Sequence, residues 1–263
     1  MFDSHCHLTD ERFRDDLDSV IERAWRAGLE GIVTIASDAD DVARALAIAT
    51  AHDRIWCTAG IHPHVAAAAR EGDPERVRVA LAHKRVVALG ETGLDYHYDH
   101  SPRDVQRSRF AWHLATALET GYPVVVHSRA ADADTAALIR EYPGVSGVLH
   151  CFSGGRELFD VGLAAGWYIS FAGLITFRKF AAGDLVAATP ADRLLLETDS
   201  PYLAPVPYRG HRNEPAYVAE TWRAAAHFRD ELPEVTARLA ADNARRFYRL
   251  MSVGAAGLRR DFR

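Results

Sequence analysis

The chain has 263 residues, 48% of them hydrophobic, and a formal net charge of −5. Its length suits one (β/α)8 barrel of about 250 residues, and its charge argues against a protein that coats duplex nucleic acid with a continuous basic surface. No apolar run reaches the roughly 18 residues of a membrane span, and no basic stretch followed by an apolar one begins the sequence, so we expect neither membrane association nor a secretory signal.

Short apolar runs alternate with segments of helical period along the chain. The apolar runs predict eight strands, at residues 2–7, 31–37, 55–62, 86–91, 123–127, 147–150, 167–171 and 194–199. The other segments predict helices at residues 14–27, 41–51, 74–83, 103–119, 131–141, 157–165, 180–187, 215–229 and 234–250. This alternation predicts a parallel α/β sheet that closes into a single (β/α)8 TIM barrel, with an open doubly wound sheet as the alternative. The predicted barrel domain covers residues 1–251, and residues 252–263 form a predicted tail.

The first predicted strand contains two histidines that could bind a metal ion. His5 and His7 stand one residue apart, so the alternation of side chains along a strand places both imidazoles on one face. Two imidazoles on one face can chelate one transition-metal ion, although such a pair is by itself a weak signal. The stronger signal is that further ligand types recur at the ends of later strands.

Four more candidate ligands each come directly after an apolar run. They stand at the ends of the predicted fourth, fifth, sixth and eighth strands, in this order: Glu91, His127, His150 and Asp199. The chemistry of a barrel lies at the carboxyl ends of its strands, so these side chains should meet His5 and His7 on one rim. A set of this size suits two divalent ions rather than one. Imidazole ligands favour Zn, Mn or Ni over Mg, but Mg, Mn and Zn all stay candidates.

The same alternation sorts the neighbours of these residues. Cys6 and Cys151 adjoin candidate ligands and should face outward, toward the helices. Glu197 shares the inward parity of Asp199 and is either a partner of a ligand or a solvated glutamate. With Cys57, the cysteines are odd in number and lack the C-x-x-C spacing, so we expect reduced thiols in a cytoplasmic protein.

Seven motifs, spread over nearly the whole chain, carry a resemblance to a known family. They are Asp3-Ser4-His5-Cys6-His7-Leu8, Gly60-Ile61-His62-Pro63-His64, Gly90-Glu91-Thr92-Gly93-Leu94-Asp95-Tyr96, Val126-His127-Ser128-Arg129, His150-Cys151-Phe152-Ser153-Gly154, Glu197-Thr198-Asp199-Ser200-Pro201-Tyr202-Leu203 and Arg212-Asn213-Glu214-Pro215. The pattern resembles the amidohydrolase superfamily. Glu91 stands where many members have a carboxylated lysine, and in this the chain is similar to the TatD-family metal-dependent deoxyribonucleases.

The resemblance implies a phosphodiesterase with two divalent ions at the carboxyl ends of the barrel strands. The implied ligands of one ion are His5, His7, Glu91 and Asp199, and those of the other are Glu91, His127 and His150. Glu91 would bridge the ions, and Asp199 would also accept the proton of the attacking water. The implied substrate is DNA, cut from the 3′ end of single strands or frayed ends, with RNA as an alternative. The implied setting is DNA repair in the cytoplasm.

Several basic and aromatic side chains are candidate substrate contacts. The four that the motifs favour are His62, His64, Arg129 and Arg212. The alternative for the two histidines is a capping or structural role after the third strand, and for Arg212 it is a solvated loop charge. Lys179 is a further candidate for phosphate, and Tyr96 or Phe152 for stacking on a base. The alternative for Lys179 is a surface charge on a helix, and for Tyr96 and Phe152 it is packing in the core.

Two other functions stay open at this point. The same metal ring could polarise a carbonyl group in amide, ester or lactone hydrolysis, including removal of D-amino acids from tRNA. A metal-binding scaffold without activity is the third hypothesis, although it gives Glu91 and Asp199 no purpose. A panel of substrates tested with one metal-loaded preparation separates the three.

Overall fold

Eight parallel strands form a nearly closed barrel in the computed structural model, which describes residues 1–250. The strands are β1 (Phe2–Cys6), β2 (Gly31–Thr34), β3 (Ile55–Ala59), β4 (Val86–Asp95), β5 (Val124–Arg129), β6 (Gly147–Leu149), β7 (Tyr168–Phe171) and β8 (Leu194–Leu196). Each strand pairs with the next one in chain order. This order confirms the (β/α)8 barrel and excludes the open doubly wound sheet, whose strand order reverses.

Helices α1 to α7 connect consecutive strands, and α8 and α9 follow β8. They are α1 (Leu17–Arg26), α2 (Ala39–Ala51), α3 (Asp73–Ala80), α4 (Arg103–Thr120), α5 (Asp132–Glu141), α6 (Arg156–Ala164), α7 (Gly183–Ala188), α8 (Val218–Arg229) and α9 (Pro233–Phe247). Within residues 1–250, none of these helices has the length and apolarity to cross a bilayer. The predicted boundary at residue 251 and the predicted tail, residues 252–263, lie outside the described residues.

Local chemistry determines where the helices begin and end. The Asp38 carboxylate accepts hydrogen bonds from the backbone N–H groups of Asp40 and Asp41 at 2.8 and 2.7 Å, which caps α2. Gly121 adopts a left-handed φ of 72° and ends α4. Pro233 stands at the first position of α9, where its missing N–H costs nothing.

Alternate residues of most strands belong to two different hydrophobic clusters. Val124 and Val126 of β5 pack with buried residues of the surrounding helices, whereas Val125 packs in a second cluster with Phe247 of α9. The second cluster therefore fills the barrel interior. Because the Asn243 side chain of α9 donates to the Leu194 carbonyl at the start of β8, α9 covers the amino-terminal end of the barrel. At the carboxyl end, the side chains of His7, Asp199 and His127 keep 13–19% of their surface exposed.

Hydrogen bonds between β1 and the segment after β8 complete the barrel. The backbone N–H of Asp199 donates to the carbonyl of His5 at 3.0 Å, and that of His7 donates to Ser200 at 2.7 Å. The buried Asp3 carboxylate accepts the backbone N–H and the hydroxyl of Thr198 at 2.9 and 2.6 Å. Burial raises the pKa of Asp3 to about 8. These contacts place Asp199 beside the two histidines of β1.

Candidate metal centre

The six predicted ligands come together at the open, carboxyl-terminal end of the barrel. The donor atoms of His5, His7 and Asp199 lie within 4.8 Å of one another, and so do those of His5, Glu91 and His150. The remaining ligand, His127, joins a third such group with Glu91 and His62. The rule that chemistry lies at strand ends therefore brings residues from five strands, or from just beyond them, to one place.

The first group has the spacing of donors around one cation. The Nε2 atoms of His5 and His7 lie 3.3 Å apart, and the Oδ1 atom of Asp199 lies 3.3 Å from Nε2 of His7 and 3.7 Å from Nε2 of His5. Ligands about 2.0–2.1 Å from one metal ion at angles of about 90–109° are themselves roughly 2.9–3.4 Å apart. Three donor atoms at close to that spacing fit a divalent cation.

Glu91 lies between two sets of nitrogen atoms. Its Oε1 atom is 2.7 Å from Nε2 of His150 and 3.2 Å from Nδ1 of His127. Its Oε2 atom is 3.4 Å from Nε2 of His5 and 3.8 Å from Nε2 of His7. The carboxylate is 2% exposed, and Oε2 is buried without a hydrogen-bond partner among the described residues. A buried oxygen without a partner is costly, and a cation between it and the imidazoles removes that cost.

The electrostatics of the site keep both acids ionised. Burial alone would raise the pKa of Glu91, but the neighbouring imidazoles, His150 foremost, more than offset it, so this pKa lies well below the usual value. Burial opposes ionisation of Asp199 in the same way, and the hydrogen bond from His7 and the nearby His5 hold its pKa low. Ionised carboxylates beside imidazoles are the ligand types that Zn and Mn accept.

Two glycines allow β4 to carry Glu91 into the barrel mouth. Gly90 has a φ of 138°, and a Cβ atom there would lie 2.6 Å from the carbonyl oxygen of Val125. Gly93 has a φ of 123°, and a Cβ atom would lie 2.0 Å from the carbonyl oxygen of His127. The register between β4 and β5 shifts between Leu89 and Thr92. The two glycines therefore permit the close approach of β4 to β5, and β4 stays paired with β5 as far as Asp95, beyond the predicted end at residue 91.

Asp95 is a member of the site that sequence reasoning missed. Its fully buried carboxylate accepts from Nε2 of His127 at 3.0 Å and from Nε2 of His64 at 2.9 Å. The Nδ1 atom of His127 then faces Glu91. A carboxylate that holds the far nitrogen of a metal-binding imidazole sets its orientation and basicity. The available signal was the spacing of four residues after Glu91, which places both acids on one face of a strand.

Glu197 plays the same part for His150. It is 1% exposed, and its Oε1 atom lies 3.2 Å from Nδ1 of His150 and accepts the backbone N–H of Cys151 at 2.8 Å. Its other oxygen accepts the hydroxyl of Ser170. Of the two roles left open for Glu197, the structure therefore supports the partner of a ligand.

His62 and His64 border the cluster on the side of β3. The Nδ1 atom of His62 accepts the backbone N–H of His64 at 3.1 Å, so neutral His62 carries its proton on Nε2. That atom faces Oε1 of Glu91 at 3.3 Å, and burial lowers the pKa of His62 to about 4. His62 is thus a neutral hydrogen-bond donor beside the candidate ligands. It also caps the short helix that follows, which is the structural role that the sequence left open.

The other predicted substrate contacts, Arg129, Arg212 and Lys179, differ in the partners that they contact. Arg129 is exposed at the end of β5, and its guanidinium lies 4.7 Å above the ring of Tyr98. Arg212 forms two hydrogen bonds of 2.7 Å with Asp16 and contacts none of the candidate ligands. Lys179 is exposed.

One of the two aromatic candidates from the sequence, Phe152, is too buried to stack on a base, and the other, Tyr96, is half-buried. Phe152 is 3% exposed and packs against Phe159 and Phe171. Tyr96 is half-buried and donates its hydroxyl to Asp134 at 2.6 Å. Core packing is therefore the role of Phe152.

Comparison with known proteins identifies the family. A model of the family described as TatD related DNase matches residues 2–249. The chain belongs to this family. Like other TatD-family proteins, it is a metal-dependent hydrolase, and the buried cluster of histidines and carboxylates is the place where it can hold metal.

Relatives and solved structures of the TatD family align over most of the chain. The uncharacterized metal-dependent hydrolase YabD of Bacillus subtilis (strain 168) is 38% identical over 253 residues, which cover 95% of this chain and 99% of the relative. The 3′-5′ ssDNA/RNA exonuclease TatD of Enterobacter lignolyticus (strain SCF1) is 39% identical, over 88% of this chain and 92% of the relative. The crystal structure of YjjV, a TatD homolog from Escherichia coli K12, matches with a TM-score of 0.88 at 28% identity, over 94% of this chain and 97% of that one.

Proposed function

We propose that this TatD-family chain hydrolyses phosphodiester bonds at the 3′ end of single-stranded or frayed DNA, and of RNA as a second substrate, with two divalent ions. The proposed ligands of one ion are His5, His7, Glu91 and Asp199, and those of the other are Glu91, His127 and His150. The observation that carries the proposal is the position of Glu91, whose two oxygens face two separate sets of nitrogen atoms. Mg, Mn and Zn are the candidate metals.

The residues of the chain divide the chemistry among them. Two divalent ions, when bound, act as Lewis acids on the phosphodiester and lower the pKa of water. The Oδ1 atom of Asp199 faces the Nε2 atoms of His7 and His5, whereas its Oδ2 atom makes no hydrogen bond within residues 1–250. We propose that this oxygen accepts the proton of the attacking water. His62 presents an N–H group beside Glu91, where it can donate to a phosphate oxygen of the substrate.

The shape and charge of the barrel mouth support a strand end as substrate. A mouth ringed by loops admits the end of a strand more readily than a duplex about 20 Å wide. The net charge of −5 provides no long basic track for a duplex. The relative from Enterobacter lignolyticus is named a 3′-5′ ssDNA/RNA exonuclease, which supports the polarity.

Four side chains at the mouth are proposed substrate contacts. His62 and His64 border the cluster, Arg129 follows His127 by two residues at the end of β5, and we assign phosphate contacts to all three. Arg212 can reach a phosphate only if it exchanges its ion pair with Asp16. The three cysteines are free thiols, which supports a cytoplasmic setting. A role in DNA repair stays a prediction.

A panel of labelled substrates tests the proposal with one metal-loaded preparation. We expect stepwise shortening of a 5′-labelled single strand from its 3′ end, slow attack on a blunt duplex and no cleavage of a closed circular single strand. Rapid cleavage of the circle would establish an endonuclease instead. Turnover of a D-aminoacyl-tRNA or of a simple ester without any nuclease activity would establish the carbonyl chemistry.

A further inference from the structure

Two exposed tyrosines stand on opposite sides of the barrel mouth. Of the large apolar side chains that are exposed within residues 1–250, only Tyr98 and Tyr202 are aromatic, with exposures of 51% and 47%. Tyr98 follows β4 and Tyr202 follows β8. In a ring of eight strands in chain order, β4 and β8 stand opposite each other.

Tyr202 contacts a histidine of the cluster, and Tyr98 contacts His64, which borders the cluster. The ring of Tyr98 lies edge-on to His64 at a centroid distance of 5.5 Å. The ring of Tyr202 lies edge-on to His7 at 5.8 Å. The exposed aromatic surface is therefore continuous with the candidate metal centre on both sides, and the centre lies between the two rings.

An arginine lies over each ring and supplies positive charge beside it. The Arg129 guanidinium lies 4.7 Å from the centroid of Tyr98, and that of Arg12 lies 4.3 Å from the centroid of Tyr202. Arg12 is already paired with Asp10 at 2.8 Å, whereas Arg129 has no carboxylate within ion-pair distance in the described part of the chain. The charge of Arg129 is thus available to a phosphate.

Contacts within the protein restrain both tyrosines. The Asp95 carboxylate accepts the backbone N–H groups of His97 and Tyr98 at 3.0 and 2.8 Å, which anchors the loop after β4 to the cluster. The ring of His100 lies parallel to that of Tyr98, with an angle of 5° between the planes. On the other side, the hydroxyl of Tyr202 donates to Asp10 at 3.2 Å. Exposed rings that are fixed before substrate arrives lose little freedom on binding.

We propose that Tyr98 and Tyr202 are stacking subsites that each hold one unpaired nucleobase, on either side of the phosphate at the metal centre. The inference rests on the proposed nuclease function. Every base has a π-face, so stacking on an aromatic ring is strong and tolerant of sequence. A duplex keeps its bases stacked on one another and cannot offer them to these rings. The two tyrosines therefore select single strands over duplexes, and Arg129 binds a phosphate beside Tyr98.

Binding measurements separate this inference from the nuclease function. The probe is a fluorescein-labelled oligothymidylate with phosphorothioate linkages, which slow hydrolysis, and the readout is its anisotropy with metal-loaded enzyme. We expect Tyr98→Ala and Tyr202→Ala each to weaken binding by about 5- to 150-fold. Tyr98→Phe and Tyr202→Phe, which keep the ring, should bind within about threefold of the parent protein.

A base-free strand and a distant tyrosine provide the controls. All variants should bind an oligomer of abasic spacers of the same length equally. Tyr208→Ala should bind as the parent does, because Tyr208 stacks on Tyr217 and contacts no histidine of the cluster. Unchanged binding of oligothymidylate by both alanine variants, or equal losses on the base-free strand, would overturn the stacking subsites. Ring-dependent binding without cleavage of any natural strand would leave the subsites standing and refute the nuclease.

Discussion

Replacement of Asp199 by asparagine separates metal binding from proton transfer. Asparagine is nearly isosteric and keeps an oxygen near His7 and His5, which lie 3.3 and 3.7 Å from the carboxylate oxygen. It cannot accept a proton as a carboxylate does. Loss of a general base costs about 10²–10⁴-fold in rate, which corresponds to about 3–5 kcal/mol in the activation barrier. We therefore expect Asp199→Asn to bind metal and to lose at least about a hundredfold in kcat.

The assay compares kcat on a 5′-labelled single strand at saturating metal with the metal content of the same preparation by mass spectrometry. The matched control is Asp132→Asn at the same end of the barrel. Its carboxylate accepts the backbone N–H of Gly155 at 2.7 Å and contacts none of the candidate ligands, so its kcat should stay within about twofold of the parent value. A fully metal-loaded Asp199→Asn enzyme with near-parental kcat would show that Asp199 is not the proton acceptor.

Three further changes test other parts of the account. Glu91→Ala should deplete both metal sites, because its oxygens face both nitrogen sets, whereas His5→Ala should deplete mainly one; equal two-ion occupancy in Glu91→Ala, measured by mass spectrometry, would reject the bridge. Chelation should abolish turnover while circular dichroism stays native, since the core holds the barrel together without metal; full activity after exhaustive chelation would refute metal dependence. Glu197→Gln should weaken metal binding by about 10- to 100-fold through His150, and an unchanged affinity in metal titrations would reject its orienting role.

The sequence was sufficient to predict the barrel, and the structure brings the residues predicted as ligands close together. Apolar runs located all eight strands. The rule that active-site residues follow such runs singled out His127 and His150, whose Nδ1 and Nε2 atoms lie 3.3 Å apart in the structure. The hydrogen bonds between β1 and the segment after β8 explain why Asp199 lies beside the histidine ligands. It lies beyond Leu196, the last residue of β8, and is placed by hydrogen bonds to β1 rather than by the strand itself.

What the sequence missed depends on contacts between distant segments. Asp95 escaped notice because β4 was predicted to end at residue 91, whereas in the structure β4 continues to pair with β5 as far as Asp95 and Arg129. Arg212 reads as a free cation, but Asp16, far away in the chain, pairs with it. The exposure of Tyr98 likewise depends on the loop after β4, and the hydrophobic periodicity of the sequence does not predict the conformation of a loop.

The measurement that tests the central claim most directly is anomalous diffraction from crystals of this protein loaded with manganese. The account predicts two manganese peaks, one on each side of the Glu91 carboxylate, with His5 and His7 near one and His127 and His150 near the other. A single peak, or peaks that do not contact Glu91, would contradict the account.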